Sequence, residues 1–325
     1  MNFIYLIGFI CLFVVGGLFL GWAWRTIKER QKLKINDRWV VVTGCDSGIG
    51  LGLVKKLVAE GALVIAFTYT QDGATRALNE GARLAPCLDI TDEEKMQQTV
   101  EQVIELCDGQ VWGLVHNAGV VQPGFIEYQQ IENFRRIMDV NFFAIVTLTQ
   151  QMIPALKSTK GRIVIVSSVD GIVSLPGNAP YDASKFAIEA YADALRVELS
   201  FWNVDVSVIN PSTLRTPLSM GYFEAHKIAW EEMNRSDPDG EWKQAWTSEW
   251  LETYVSENNG RIESIAQDLK YAVDDIFHAL SSKYPRMRYL SGTLAKTLFH
   301  ALWKMPEKWS FLIKKGTVNP PPFLH

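Results

Sequence analysis

Cysteine is scarce in this 325-residue sequence: Cys11, Cys45, Cys87 and Cys107, with no Cys-x-x-Cys pair among them. That excludes a disulfide-built scaffold and fits a reducing compartment. The five histidines (116, 226, 278, 300, 325) do not join the cysteines in any ligand spacing, so no metal site is readable. An excess of positive charge is missing too. The formal net charge is −4 and the isoelectric point about 5.8, which argues against nucleic acid as a partner. Internal repeats and low-complexity linkers are absent. With 48% hydrophobic and 21% charged residues the chain can bury a core, so wholesale disorder is excluded.

Charge is also absent locally. Residues 1–24 carry no charged side chain, residues 25–38 carry a net +4 and residues 284–325 a net +6, which leaves the body, 39–283, at −14. The uncharged run Phe3 to Trp24 is 22 residues long. As a helix such a run spans about 33 Å, enough for a hydrocarbon core of about 30 Å. A cleaved signal peptide would show a positive start, a shorter apolar stretch and a small-x-small cleavage site, and none is clear. Residues 1–24 are therefore read as a transmembrane anchor and 25–38 as a basic juxtamembrane segment. Trp22 and Trp24 sit where an interfacial aromatic belt belongs, and Arg25, Lys28, Arg30, Lys32 and Lys34 follow. The positive-inside rule then gives a single-pass membrane protein, expected in the endoplasmic reticulum, with its body in the cytosol. The sequon Asn234-Arg235-Ser236 matters only in the opposite orientation.

From Trp39 the pattern changes to short apolar runs alternating with amphipathic ones, which predicts βαβ units around a parallel sheet. Strands are expected at 39–43, 62–68, 111–119, 161–168 and 204–211, and helices at 49–60, 92–107, 131–157 and 180–201. The fold class is α/β: one doubly wound, Rossmann-type domain over 39–283, preceded by the anchor. Residues 218–260 break the rhythm with Trp230, Trp242, Trp246 and Trp250 among many acids. Two readings stand: an irregular helical surface insertion, or a lid over an apolar substrate. The segment 284–325 reads as a basic, aromatic C-terminal tail. Its Leu298, Phe299, Leu302, Trp303, Trp309, Phe311, Leu312 and Ile313 lie among lysines, so it either rests on a bilayer or docks on the domain.

Three patterns carry chemistry. Thr43-Gly44-Cys45-Asp46-Ser47-Gly48-Ile49-Gly50 falls between the first strand and the first helix. Its glycines let backbone approach a pyrophosphate, and the helix start offers free N–H groups. Tyr181-x-x-x-Lys185 places a phenol and an ammonium on one face of a helix. Ser168 ends a buried strand thirteen residues before Tyr181, and Asn117-Ala118-Gly119 ends another.

Glycine turn, Asn117-Ala118-Gly119, Asn141, Ser168, Tyr181 and Lys185, in that order, resemble the short-chain dehydrogenase/reductase family over about residues 37–300. The resemblance implies a sheet that binds a nicotinamide dinucleotide, with Ser168, Tyr181 and Lys185 as catalytic triad. Asn141 is the implied fourth member, at the position that holds a water linking the lysine to solvent. It implies cofactor contacts at Gly44, Asp46, Ser47, Gly48, Ile49, Gly50, Asp89, Asn117, Ala118, Gly119, Tyr181, Lys185, Pro211 and Thr216. Two departures stand out: Ser212 where the family has glycine after Pro211, and His116 where asparagine is common. In physical terms, a phenol brought from a pKa near 10 to about 7 needs roughly 4 kcal/mol of differential stabilisation. Lys185 and the charge of an oxidised nicotinamide are placed to give it.

Cofactor choice rests on the end of the second strand, where an acid favours NAD and a base favours NADP. Ala66-Phe67-Thr68 supplies neither, but Asp46 in the glycine turn disfavours an added phosphate. NAD is the expected cofactor, with NADP not excluded. The glycine turn, the strand Trp112-Gly113-Leu114-Val115-His116-Asn117-Ala118-Gly119 and the anchor look like the retinol and hydroxysteroid dehydrogenase branch. A lipophilic alcohol is the implied substrate. The competing enzyme reading is a 3-hydroxybutyrate dehydrogenase, with Arg215 as the cation for a small carboxylate. A catalytically silent, membrane-tethered nucleotide-binding scaffold is the alternative outside enzymes. Relatives that dimerise suggest a homodimer through 131–157 and 180–201.

Overall fold

The computed structural model describes residues 28–318 and the isolated positions 13, 16, 17 and 24. Apart from those four positions, the run read as a membrane anchor lies outside the described residues. Among the described residues no helix is long and apolar enough to cross a membrane. The first continuous segment is pinned to a distant part of the chain. Leu33 N–H donates to the Ser281 carbonyl (2.6 Å), Lys283 N–H to that of Gln31 (2.8 Å), and His278 Nε2 to that of Glu29 (3.0 Å). Arg286 Nε donates to Glu29 Oε2 at 2.9 Å, and Ile35 is buried beneath.

β1 (Trp39–Thr43) is an unbroken apolar run whose Val40, Val41 and Val42 are fully buried, as a central parallel strand requires. α1 (Gly48–Ala59) buries Leu53, Val54 and Leu57 and stops before Gly61, whose φ of +84° suits a glycine. β2 (Leu63–Phe67), α2 (Gln71–Asn79), α3 (Glu93–Leu106) and β3 (Val111–His116) follow. Thr70 and Asp92 cap α2 and α3 by accepting from Gly73 N–H (3.0 Å) and Lys95 N–H (3.1 Å). Next come α4 (Ile131–Met138), a π-helical turn (Asp139–Phe143), α5 (Ala144–Thr159), β4 (Arg162–Val166), α6 (Ala179–Ser200) and β5 (Asp205–Pro211). The segment after β5 forms α7 (Pro217–Met220), α8 (Ala225–Ser236), α9 (Trp242–Ala245) and α10 (Ser248–Ile265). α11 (Lys270–Ser281), β6 (Arg288–Ser291), a second π-helical turn (Ala295–Phe299), α12 (His300–Lys304) and α13 (Glu307–Lys315) complete the described chain.

The six strands form one sheet in the order β2-β1-β3-β4-β5-β6, every pair parallel. One face packs against α3, α5 and α6 through Met96, Leu148 and Ile188; the other packs against α1 and α11 through Leu57, Ile276 and Leu280. The sheet is thus covered on both sides, the doubly wound arrangement expected.

The differences from the sequence reading have local causes. β3 ends at His116 because the next residues turn to bind Thr43: the N–H groups of Asn117 and Ala118 both donate to Thr43 Oγ1 at 3.0 Å. Before Asp89 the chain makes only two bridges beside β2, Ile65 with Leu84 and Thr68 with Cys87; Pro86 between them has no N–H to give. The helix expected over 131–157 is interrupted by the π turn, and α2, α11 and β6 were not foreseen. β6 falls inside the stretch read as a tail. The tryptophans of 218–260 have a cause of their own: they build an aromatic core on Phe125 and Tyr128, with Phe125 and Trp246 rings stacked at 4.4 Å.

Candidate active site

The carboxyl ends of β1, β3, β4 and β5 open into a cavity of about 680 Å³. Its floor starts at the glycine turn. Gly44 has φ +70°, and a Cβ there would lie 2.7 Å from Ala118 Cα; a Cβ on Gly50 would lie 2.2 Å from the Gly44 carbonyl oxygen. The turn therefore admits backbone only. The Ser47 side chain leaves the α1 amides uncapped, and the first turn of α1 holds no acid. Free amides at a helix start beside a glycine cradle fit the pyrophosphate of a dinucleotide.

Of the expected cofactor residues, Gly44, Asp46, Ser47, Gly48, Ile49, Asp89, Asn117, Ala118, Gly119, Pro211 and Thr216 line the cavity. Gly50 does not; it lets α1 pack under the turn. Asn117 is a strut as well as a wall, donating through Nδ2 to the Thr43 and Gly44 carbonyls at 3.0 Å each. Asp89 is oriented by Thr91, whose N–H (2.9 Å) and hydroxyl (2.7 Å) both donate to its Oδ1. Thr216 caps α7 and lies 3.4 Å from where a Gly48 Cβ would stand, so both ends of the cavity floor meet there. Asp46 reaches the end of β2: its carboxylate accepts from Tyr69 N–H (2.8 Å), Thr70 N–H (2.9 Å) and Thr70 Oγ1 (2.7 Å). A negative charge thus stands where β2 itself has none.

Ser168, Tyr181 and Lys185 meet in the same cavity. α6 begins at Asn178 with Pro180 in its first turn, which sets Tyr181 and Lys185 one turn apart. Lys185 Nζ lies 5.3 Å from the centre of the Tyr181 ring and donates to the Val166 carbonyl at 3.0 Å. Burial lowers Lys185 to a pKa of about 8. Burial, and then the Asp170 carboxylate, push the Tyr181 phenol up, while the hydroxyl of Ser168, its hydrogen-bonding neighbour, draws it down. Asn210 Nδ2 fixes the Ser168 carbonyl (2.8 Å) and the Glu189 carboxylate (2.6 Å), so α6 and the loop after β4 share one reference point.

Asn141 stands behind this group, fully buried in the π turn and outside the cavity wall. Its Oδ1 accepts from Val120 N–H (2.8 Å); its Nδ2 donates to the Val120 carbonyl (2.9 Å) and to Ser184 Oγ (3.0 Å). Both side-chain donors are spent, so the amide ties the loop after β3 to α6. A Cβ on Gly119 would sit 3.3 Å from Asn141 Oδ1 and 3.6 Å from Lys185 Nζ, so the lysine ends close by.

A family model for short chain dehydrogenases matches residues 38–227, from the start of β1 to α8.

The chain belongs to the short-chain dehydrogenase family.

Retinol dehydrogenase 7 of Mus musculus is 34% identical over 288 residues, 87% of this chain and 89% of that protein. Retinol dehydrogenase 16 of Homo sapiens is 35% identical, covering 86% and 88%. The 17-beta-hydroxysteroid dehydrogenase type 6 of Bos taurus is 33% identical, covering 91% and 93%. Among solved structures, a short chain dehydrogenase from Burkholderia cenocepacia in complex with NADP shares the fold, with a TM-score of 0.64 at 24% identity over 86% of this chain and 99% of that one. Family membership makes the chain an oxidoreductase of the alcohol dehydrogenase type that uses a nicotinamide dinucleotide, and the glycine cradle fits one.

The outer wall of the cavity draws on the start of the segment read as an insertion or a lid, and beyond it on residues that sequence reasoning missed. Leu218, Tyr222 and Phe223 come from the start of the helical segment after β5, Ile262 and Ile265 from its end, and Leu298 and Phe299 from the second π turn. The four tryptophans between them are not among the lining residues. Asp170, Asn178 and Arg261 line the cavity too. A charge in the apolar loop after Ser168 was the signal for Asp170.

Proposed function

We propose that the chain is a NAD-dependent dehydrogenase of lipophilic secondary or allylic alcohols, with Tyr181 as general acid and base. Its substrate class is retinoid or hydroxysteroid. The observation that carries this reading is the meeting of Ser168, Tyr181 and Lys185 at the floor of a cavity with an apolar outer wall. The names of the retinol and hydroxysteroid relatives point the same way.

When bound, a nicotinamide dinucleotide would supply the hydride acceptor and, in its oxidised form, a positive charge. The chain's residues do the rest. The glycine turn and the α1 amides would hold the pyrophosphate, and Asp46 would disfavour a phosphate near the end of β2, which supports NAD. Arg76, the neighbouring cation, has its Nε engaged on the Asp46 carbonyl at 3.1 Å. Ser168 holds the substrate oxygen, and Tyr181 takes the hydroxyl proton in oxidation and returns it in reduction. The apolar wall excludes water from the reacting carbon.

Arg215 does not line the cavity; its guanidinium donates to the Glu263 carbonyl at 3.2 Å. The small-carboxylate reading thereby loses the cation it invoked, and success with 3-hydroxybutyrate would direct attention to Arg261. Residues 3–24 as a membrane anchor, with the body in the cytosol, remain part of this proposal.

The test is reduction of NAD and NADP by detergent-solubilised protein against all-trans-retinol, 17β- and 3α-hydroxysteroids and 3-hydroxybutyrate. Turnover of a lipophilic alcohol with NAD, at least about tenfold better than with NADP, is the expected result; one tenfold step corresponds to about 1.4 kcal/mol. Silence on every alcohol with cofactor still bound would favour the scaffold. Tyr181→Phe is expected to lower kcat by about 10²–10⁴ while cofactor affinity, read by fluorescence titration, stays close to the parent value.

A further inference from the structure

The apolar outer wall of the cavity carries one cation, Arg261, which pairs with no acid among the described residues. The other charged residues lining the cavity have evident work. Asp46 and Asp89 stand at the dinucleotide end, and Asp170 and Lys185 stand by Ser168 and Tyr181. Arg136 belongs to the scaffold, since its Nη2 donates to Gln122 Oε1 at 3.2 Å. Gln122 is itself buried and braced: its Nε2 donates to the Ala225 carbonyl (2.8 Å), and its carbonyl accepts from Gln129 Nε2 (2.7 Å). Arg261 has no such bracing.

Its helix shows what is unusual about it. Tyr254, Asn258, Arg261, Ile262 and Ile265 recur at helical spacing on one face of α10. Ile262 and Ile265 line the cavity, Asn258 is buried, and the Tyr254 ring meets the wall residue Phe223 edge-on at 5.7 Å. Glu257 stands one turn before Arg261, the order of acid and base that favours an ion pair on a helix. That pair does not form. Arg261 turns to the cavity, and its one side-chain hydrogen bond runs from Nη1 to Asn258 Oδ1 at 3.3 Å. Other acids of the neighbourhood are taken: Glu224 (3.2 Å) and Glu252 (2.9 Å) share Lys227, and Glu224 also accepts from Asn259 Nδ2 at 2.7 Å. Most donors of the guanidinium fork are therefore unspent, and a planar fork of N–H groups matches a carboxylate or another oxyanion.

We propose that Arg261 binds substrate, and that the cavity takes a lipophilic alcohol bearing an anionic group, carboxylate or sulfate, at the end remote from the reacting hydroxyl. This rests on the reading of the chain as a dehydrogenase of lipophilic alcohols and narrows it: retinol has no charge to offer, whereas a hydroxysteroid with an acidic substituent does. The hydroxyl goes to Ser168 and Tyr181 at the floor, the apolar body lies along Leu218, Tyr222, Phe223, Ile262, Ile265 and Leu298, and the anion meets Arg261. Arg261 is exposed, so the empty site keeps its cation hydrated and avoids the cost of burying a lone charge. An anion held there stays out of the apolar wall, which sets the direction of entry: hydroxyl first, acid last.

The test compares alcohols that share a skeleton and differ in charge. Detergent-solubilised full chain with NAD is offered lithocholate, a 3α-hydroxysteroid with a carboxylate side chain, against its methyl ester, and 17β-oestradiol 3-sulfate against 17β-oestradiol. In the pair that turns over, kcat/KM should favour the anion by about tenfold, through KM. The preference should vanish in Arg261→Gln, return in part in Arg261→Lys and survive in Arg136→Gln. Salt at about 1 M, where the Debye length is about 3 Å, should shrink the preference of the parent and leave the Arg261→Gln ratio in place. Equal rates for anion and neutral partner in the parent, a preference that survives Arg261→Gln, or one that Arg136→Gln abolishes, overturns the assignment. NAD affinity, read by fluorescence titration, should be the same in Arg261→Gln and parent; weaker NAD binding would give the guanidinium to a cofactor phosphate and overturn it too. Silence on every alcohol defeats the dehydrogenase reading separately. Binding of lithocholate and its ester to Tyr181→Phe with NAD, followed by quenching of tryptophan fluorescence, then still decides the subsite: about tenfold in favour of the acid supports it, and equal affinities overturn it.

Discussion

His116 is buried at the end of β3, with Nε2 against Thr149 Oγ1 at 2.9 Å, and burial lowers its pKa to about 3. The unfolded chain binds this proton below about 6.5, whereas the folded chain refuses it until about 3. The sign follows: stability is complete above the unfolded value and is lost as pH falls through that window, by up to about 1.4 kcal/mol per pH unit for the group. His226 is displaced the same way, to about 3. His116→Asn should therefore flatten the decline between pH 6.5 and 4 in urea unfolding, and an acid slope equal to the parent's would overturn this account. At this scale the sequence was most informative where chemistry needs a fixed residue type. Gly44, Ser168, Tyr181 and Lys185 were singled out by the family resemblance that their order carries, with the glycine turn and the helix-face spacing of Tyr181 and Lys185 as local support. Asp170 carried only the signal of a charge in an apolar stretch; its contact with Ser168 depends on a loop that folds the carboxylate back onto the hydroxyl. Asn141 was legible as a position, but that both its donors are spent on Val120 and Ser184 shows only in three dimensions.

The elements divide by how local their causes are. The central parallel strands were legible because strands buried on both faces must be apolar throughout. The π turn at 139–143 was not: one extra residue in a turn leaves the apolar period nearly unchanged while redirecting Asn141. β6 was missed because it is four residues long with alternating burial, and its anchoring is tertiary. Arg288 on β6 pairs with Glu189 of α6, and Glu189 in turn accepts from Asn210. Removing Arg288 leaves a mostly buried carboxylate without its cation. Arg288→Ala should cost about 2–3 kcal/mol, somewhat less than a fully buried pair because the arginine is partly exposed. It should also slow turnover by loosening α6 against the Ser168 loop. Thermal unfolding with parallel kinetics checks both, and a stable variant with parent kinetics would show the pair to be incidental.

At the scale of the whole molecule, two groups of exposed apolar side chains bear on its surroundings. Phe143 at the end of the first π turn and Phe186 and Val197 on α6 are exposed, where the homodimer expected from the resemblance would bury them. Trp309, Phe311, Leu312 and Ile313 are exposed on α13 beside Lys308, Lys314 and Lys315, a composition suited to a bilayer surface. If the body faces the cytosol, protease added to sealed microsomes should digest it and Asn234 should carry no sugar; protection together with glycosylation would reverse the topology. The clamp of residues 29–33 onto 278–286 sets the length of the leash. Four residues, and so five Cα-to-Cα steps, separate Trp24, the end of the uncharged run, from Glu29, already fastened to the folded body. Such a stretch reaches at most about 17 Å when fully extended. With residues 3–24 in a bilayer, the enzyme could not wander from the lipid: its search for an oily substrate would be confined to two dimensions, and its working concentration would be counted per area of membrane.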